Sequence, residues 1–233
     1  MAQISLQVTD DGSHTLFNSE LNETYHSHRG AIAESRYVFI AAGFDAAIET
    51  FSEVSIFEVG FGTGLNALLT LGHFQQLNQQ RQADNKPLLT VRYVSVEPYP
   101  LAQDLLHHLN YKQLLAPSYA PLFDMLHAAP WEQASELLPG FWLTKCHTRL
   151  EQIALSPQQF NLIYFDAFAP NKQPDVWRQE NLAKCYQLLQ AQGLLVSYCA
   201  NGQFKRDLKA VGFTVKAYPG ALGKREMTRA WRC

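Results

Sequence analysis

Three carboxylates stand at comparable places in this sequence. Glu58 lies at the end of "VSIFEVG", Glu97 closes "VRYVSVE", and Asp166 follows "FNLIYF". Each preceding run is apolar and of strand length. Acids at the ends of buried strands bind cations, accept hydrogen bonds from sugar hydroxyls, or take protons. The first acid opens "FEVGFGTGLN", where Gly60, Gly62, Gly64 and Asn66 occupy a turn between a strand and a helix. Glycines there let the backbone turn tightly and approach a ligand closely. A dinucleotide fingerprint, GxGxxG, places its last glycine where this chain has Leu65. The pattern is instead ExGxGxG. A carboxylate beside the loop repels a diphosphate but suits the ammonium and sulfonium of S-adenosylmethionine, which carries no phosphate.

Glu97 is placed to accept both ribose hydroxyls of such a nucleoside. The gap from Gly64 exceeds the usual spacing of about twenty residues. The Gln-rich end of the intervening helix and the connector "RQADNKP" absorb the excess. Asp166 begins "DAFAPNKQPDVW", a loop stiffened by Pro170 and Pro174. A carboxylate at this position orients an amine and takes its proton while a methyl group is transferred in line. Phe168 offers a flat face to a base, and with Pro170 and Lys172 it forms the expected substrate pocket.

These residues need a scaffold that brings strand ends together. "VTDDGSHTLFN" reads as a hairpin, and "GAIAESRYVFIAAGF" as a helix that Gly43 ends. Strands are expected at "VSIFEVG", "LLTVRYVSVEP", "FWLTKCH", "FNLIYFDAF", "LLVSYCA", "FTVKAYPG" and "REMTRAWRC". Helices are expected at "GLNALLTLGHFQQLNQQ", "YPLAQDLLHHL" from Pro100, "TRLEQIALS", "DVWRQENLAKCYQLLQAQG" to Gly193 and "NGQFKRDLKAVG", with short helices in 111–140. Apolar strands alternating with helices call for an α/β fold, a mostly parallel sheet covered on both faces. Residues 1–50 are expected to form an N-terminal extension or lid, and residues 51–233 the Rossmann-like domain.

The 233 residues are 47% hydrophobic and 17% charged. That balance suits one globular α/β unit. Cys146, Cys185, Cys199 and Cys233 form no CxxC pair, which is expected of reduced thiols in a cytoplasmic protein. The polar start "MAQISLQVTDDGSH" has no apolar signal core, and no apolar run has the length of a membrane span. A net charge of −2 argues against general nucleic-acid binding. Residues 200–233, however, carry eight Lys/Arg against two Asp/Glu, and a local basic patch binds phosphates even on an acidic chain.

Taken together, "YHSHRGAIAESRYVFI", "EVGFGTGLN", "YFDAFAPNKQPDVW" and "GKREM" resemble the MnmC-type tRNA (5-methylaminomethyl-2-thiouridine) methyltransferase domain, from about Tyr25 to Met227. The resemblance implies a class I, Rossmann-like fold with a seven-stranded sheet. It implies methylation, from S-adenosylmethionine, of the aminomethyl nitrogen of 5-aminomethyl-2-thiouridine at the tRNA wobble position. It carries Gly60, Gly62 and Gly64 over as the cofactor loop, Glu97 as the ribose acid and Asp166 as the acid near the substrate amine. With no second glycine fingerprint in the chain, the stand-alone form is expected. "CHTRLEQ" replaces the acid usual after the third strand of the family, which removes one expected adenine contact.

Tyr25, His26 and Ser27 are read as a lid near the amino-acid end of the cofactor, with Glu34 and Ser35 close by; packing is the competing role. His26-x-His28 lacks an evident third ligand, so no metal is expected. Arg29 either holds phosphate or pairs with Glu34. Lys205, Arg206, Lys224 and Arg225 are the candidates for contact with the tRNA backbone. Three other activities fit parts of the pattern: aminopropyl or methyl transfer to a small amine, an NAD-dependent reductase, and a tRNA-binding module without catalysis. Leu65 and Glu58 count against NAD, the basic tail against a small polyamine, and the three retained acids against a non-catalytic module.

Overall fold

The computed structural model describes residues 4–233; the first three residues of the N-terminal extension lie outside it. The extension opens with a small antiparallel sheet of β1 (Ile4–Val8), β2 (His14–Asn18) and β3 (Glu23–Thr24). The expected hairpin turns at Thr9–Ser13, where the Thr9 amide donates to the Ser13 carbonyl at 2.9 Å. The same turn caps the first helix. Asp11 accepts from the Ala33 amide at 3.0 Å and Ser13 Oγ from that of Ala31 at 3.1 Å. These satisfy first-turn donors of α1 (Ala31–Ser35), which has no capping side chain of its own.

Helix α1 runs on through ten π-helical residues, Arg36–Asp45, to Ile48. Gly43 therefore does not end it. Gly43 marks a close approach of helix to sheet: a Cβ there would lie 3.1 Å from Val196 Cγ2 and 3.2 Å from Tyr164 Cε1. Only a hydrogen fits without displacement.

Among the described residues, eight strands form the main sheet. They are β4 (Glu53–Val59), β5 (Thr90–Val96), β6 (Ala134–Leu138), β7 (Phe141–Cys146), β8 (Phe160–Phe165), β9 (Leu189–Ser197), β10 (Thr214–Pro219) and β11 (Glu226–Trp231). Their order is β10-β11-β9-β8-β4-β5-β7-β6. The five strands from β9 to β7 are parallel, and β11, β10 and β6 pair antiparallel. Seven are the expected strands. The eighth, β6, lies where short helices were expected, and Pro139-Gly140 supplies its hairpin turn, with Gly140 at φ +84°. The helices are α2 (Leu65–Ala83), α3 (Gln103–His107), α4 (Tyr111–Leu114), α5 (Tyr119–Ala128), α6 (Gln179–Leu188) and α7 (Gly202–Ala210).

Three further boundaries depart from expectation. Helix α3 begins at Gln103 rather than Pro100. "TRLEQIALS" makes one turn only, because Lys184 Nζ takes the carbonyls of Leu150 and Ile153 at 2.8 and 2.5 Å. Helix α6 ends at Leu188 rather than Gly193. Arg232 Nη1 gathers the carbonyls of Tyr186, Gln187 and Leu189 there, and the chain turns directly into β9.

Alternate residues of the central strands feed two apolar layers. Ile56, Leu162 and Tyr164 face a layer with Phe39, Phe44 and Leu68, and this layer also takes Leu16 of the extension. Phe57, Ile163 and Phe165 face Trp177, Leu182 and Phe204. The strand order reverses between β4 and β8. Ligands bind beyond the carboxyl ends of strands at such a switch point, and the glycine loop and Asp166 meet there.

Candidate active site

The loop after β4 is built by its glycines. Gly60, Gly62 and Gly64 have φ of +95°, +49° and +72°, a region costly for residues with a Cβ. A Cβ on Gly60 would sit 2.6 Å from the Asp166 carbonyl, and one on Gly62 3.2 Å from the Tyr25 ring. The loop thus lies against both the Asp166 strand end and the extension. Glu97 accepts from the Gly62 amide at 3.0 Å and from that of Tyr99 at 2.9 Å. Burial pushes its carboxyl up, against those hydrogen bonds.

Asp166 and Glu58 are joined through one side chain. Asn66 Nδ2, on the first turn of α2, donates to Asp166 Oδ2 at 2.7 Å and to Glu58 Oε1 at 3.2 Å. Ser95 Oγ donates to Glu58 Oε2 at 2.7 Å. Glu58 is fully buried, on the face of β4 that points to the core. It therefore lies in the core behind Asn66, while Asp166 lines a neighbouring cleft and Glu97 holds the glycine loop. Burial pushes Glu58 up to about 8 and Asp166 up to about 7. For Asp166 the Asn66 hydrogen bond and Lys224 oppose the shift, and Glu34 adds to it. Asn66 Oδ1 is buried without a partner.

A cleft of about 300 Å³ opens beside Asp166, walled by Tyr25, Glu34, Phe168, Tyr198 and Lys224. Phe168 meets Tyr25 edge-on, with ring centroids 4.9 Å apart. The loop carrying Phe168 is fixed from behind. Trp177 Nε1 donates to the Phe168 carbonyl at 2.8 Å, and the Trp177 ring packs on Phe165 and Phe204. Tyr198, just past β9, donates to the Ala167 carbonyl at 2.8 Å. Its position at the end of the strand beside β8 was the available signal, and sequence reading passed over it.

The expected pocket residues separate. Phe168 lines the cleft, Pro170 opens the turn behind it, and Lys172 reaches away to the Asn22 carbonyl at 3.1 Å. His26 Nδ1 faces Thr15 Oγ1 at 3.3 Å and Nε2 faces Thr63 Oγ1 at 3.5 Å. It joins the extension to the glycine loop, and burial holds it neutral, down to about 4. Among the described residues no group of three His, Cys, Asp or Glu is placed to hold a metal ion. Arg29 does not pair with Glu34 but donates to the Leu222 carbonyl at 2.7 Å.

The basic candidates also divide. Lys224 pairs with Glu34 inside the cleft. Lys205 pairs with Glu226 at 2.5 Å. Arg206 is exposed and bonded to Gln203, and the Arg225 side chain is 95% exposed. Among the described residues no helix is long and apolar enough to cross a membrane.

The donor set fits a cationic nucleoside without phosphates. The loop offers bare backbone, an acid bonded to its Gly62 amide, an orphaned buried carbonyl on Asn66 and the Asp166 carboxyl beside it. Lys145, a cation beside the loop, is buried against Phe61 and spends its ammonium on the carbonyls of Leu126 and His127.

A family model described as S-adenosyl-L-methionine-dependent methyltransferase matches residues 134–233. The tRNA 5-methylaminomethyl-2-thiouridine biosynthesis bifunctional protein MnmC of Aromatoleum aromaticum is 29% identical over 233 residues, covering 96% of this chain and 34% of that protein. Its counterpart in Pseudoalteromonas atlantica is 31% identical over 235 residues, covering 95% and 32%. The chain thus spans about a third of the length of the curated relatives it matches. The crystal structure of MnmC2 from Aquifex aeolicus superposes with a TM-score of 0.80 at 25% identity, over 100% of this chain and 71% of that one. Spermidine synthase from Thermotoga maritima, with a TM-score of 0.57 at 12% identity over 99% and 69%, shares the fold alone.

The family match, on this fold, makes the chain an S-adenosyl-L-methionine-dependent methyltransferase. S-adenosylmethionine is its cofactor. Within that class the chain belongs to the MnmC methyltransferase-domain family.

Proposed function

We propose that this chain methylates the aminomethyl nitrogen of 5-aminomethyl-2-thiouridine at the wobble position of tRNA. The observation that carries the reading is Asp166: a carboxylate at the cleft, held by Asn66 and raised to about 7. A general base poised near the working pH is the requirement for an amine acceptor. The names of the relatives supply the substrate class.

The cofactor supplies a methyl group on a sulfonium. The rest falls to the chain. The ring of Phe168 takes the face of the base. Asp166 Oδ1, the oxygen Asn66 leaves free, faces the amine. With the cofactor bound, its methyl group would leave the sulfonium for the nitrogen lone pair, and Asp166 takes the proton that the nitrogen sheds. Glu97 receives the ribose, and Gly60, Gly62 and Gly64 lie along the nucleoside with no side chain between. Glu58, deeper, adds negative charge behind Asn66 when it ionises. Tyr25 closes over the glycine loop. Lys205, Arg206 and Arg225 lie outside the cleft as backbone contacts for tRNA.

The test is methyl transfer from radiolabelled S-adenosylmethionine to tRNA isolated with the unmethylated aminomethyl base, followed by nucleoside analysis. Label in 5-methylaminomethyl-2-thiouridine is expected. Label only in added polyamines, or in no nucleoside, overturns the reading. Asp166→Asn is expected to lower kcat by roughly a hundredfold or more, while calorimetry finds cofactor affinity within a few-fold of wild type.

A further inference from the structure

Besides Asp166, two carboxylates line the cleft, Glu23 at its edge strand and Glu34. Glu34 is 7% exposed, on the first turn of the helix that begins at Ala31, and it lines the same cleft as Asp166. Its Oε2 accepts from the Ser27 amide at 3.0 Å, and its Oε1 pairs with Lys224. Lys224 comes from the loop before β11, 190 positions later in the chain. Its ammonium stands 5.4 Å from the centre of the Tyr198 ring, and Tyr198 holds the carbonyl next to Asp166. Arg29 donating to Leu222 ties the same two segments together.

Two free carboxylates beside an amine would hold it as an ammonium, which has no lone pair with which to attack. We propose that the Glu34–Lys224 ion pair is a positioning pair for methyl transfer, withholding Glu34 from the acceptor amine and leaving Asp166 as the proton acceptor. The inference rests on the reading of the acceptor as an amine. It also moves Lys224 from the tRNA-backbone surface, where its sequence placed it, into the cleft.

The groups that face Asp166 are few. Asn66 and Glu58 lie below it, with Tyr93 beside Glu58. Tyr198 lies to one side. Glu34 and Lys224 approach from the extension and the C-terminal loop. Glu23, His28 and Arg29 also line the cleft, but the charges that act on Asp166 are those of the pair. Glu34 raises the proton affinity of Asp166 and Lys224 lowers it. Removing either one therefore acts in opposite directions.

The test uses Glu34→Gln, Lys224→Met, Lys224→Arg and the double variant Glu34→Gln/Lys224→Met, each checked for folding by thermal unfolding. Two quantities are read: the acidic limb of the kcat/KM profile on aminomethyl tRNA, and the titration of the Asp166 carboxyl carbon by NMR, assigned with Asp166→Asn. In Lys224→Met both move up by about one pH unit; in Glu34→Gln both move down. In the double variant they return toward wild type, and Lys224→Arg stays close to wild type. Shifts of the same sign in both single variants, or no shift in either, overturn the proposal. So does a Lys224→Met variant whose sole defect is a higher KM for tRNA with a smaller salt slope, since that is the mark of a phosphate contact. Should wild type leave aminomethyl tRNA unmethylated while the two NMR titrations still part in opposite directions, the substrate reading falls and the pair's action on Asp166 stands.

Discussion

Asp166 accepts a 2.7 Å hydrogen bond from Nδ2 of Asn66, a residue 100 positions earlier on the other side of the strand-order reversal. The same nitrogen reaches Glu58, so one amide orients the carboxylate at the cleft and ties it to the one beneath. Aiming Asp166 depends on Asn66. In Asn66→Ala, kcat is expected to fall roughly ten- to a hundredfold, the worth of a hydrogen bond to a charged group. Steady-state kinetics on aminomethyl tRNA check this, and unchanged kcat would refute the orienting role.

The glycine loop is predicted to tolerate no added methyl group. Gly62→Ala places a Cβ at φ +49° against the Tyr25 ring. Calorimetry is expected to show cofactor affinity weakened by roughly tenfold or more, since strain at such a position costs on the order of 1–3 kcal/mol. Gly60→Ala is expected to be worse, because its Cβ meets the Asp166 carbonyl, which has no freedom to move aside.

Glu58 makes stability depend on pH with an unusual sign. Burial raises it from an ordinary 4.5 to about 8, so between these values the folded chain holds a proton that the unfolded chain has released. Its contribution is complete at low pH and is lost as pH rises through about 8. Glu58→Gln has no such loss. Thermal unfolding without cofactor should show the variant gaining on wild type as pH rises from about 5 to 9. A constant difference across that range would show that Glu58 is ionised throughout.

The exposed basic residues are predicted to act through salt. Arg206→Ala and Arg225→Ala should each weaken tRNA binding and reduce the slope of log affinity against log salt by about one. Lys205→Ala should do less, since Lys205 is largely covered and pairs with Glu226 at 2.5 Å, whereas Arg225 is exposed and 3.8 Å from the same carboxylate. Filter binding across a salt series measures all three. Equal slopes in every variant would place the tRNA surface elsewhere.

Strand runs such as "FNLIYF" and "VSIFEV" were legible because a strand buried on both faces must be apolar throughout. Turn residues made the glycine loop legible, and the acid two positions before it pointed to a cation. Pro139-Gly140 also marked the turn that makes β6, but the scatter of prolines around it suggested helices. The helix end at Leu188 was not legible at all, because its cap is Arg232, at the far end of the chain.

The sequence by itself determined the candidate residues, namely the three acids, the glycines and the aromatic-proline loop, since residue type and local spacing are enough to form a strand, a turn and a reactive group. Only the tertiary structure decided their neighbours. It buried Glu58 under Asn66, set Lys224 against Glu34 and turned Lys172 away toward Asn22. The reason is physical: hydrogen bonds and ion pairs depend on distances of a few ångströms between atoms, and segments far apart in sequence reach those distances only when the sheet and its covering layers have assembled.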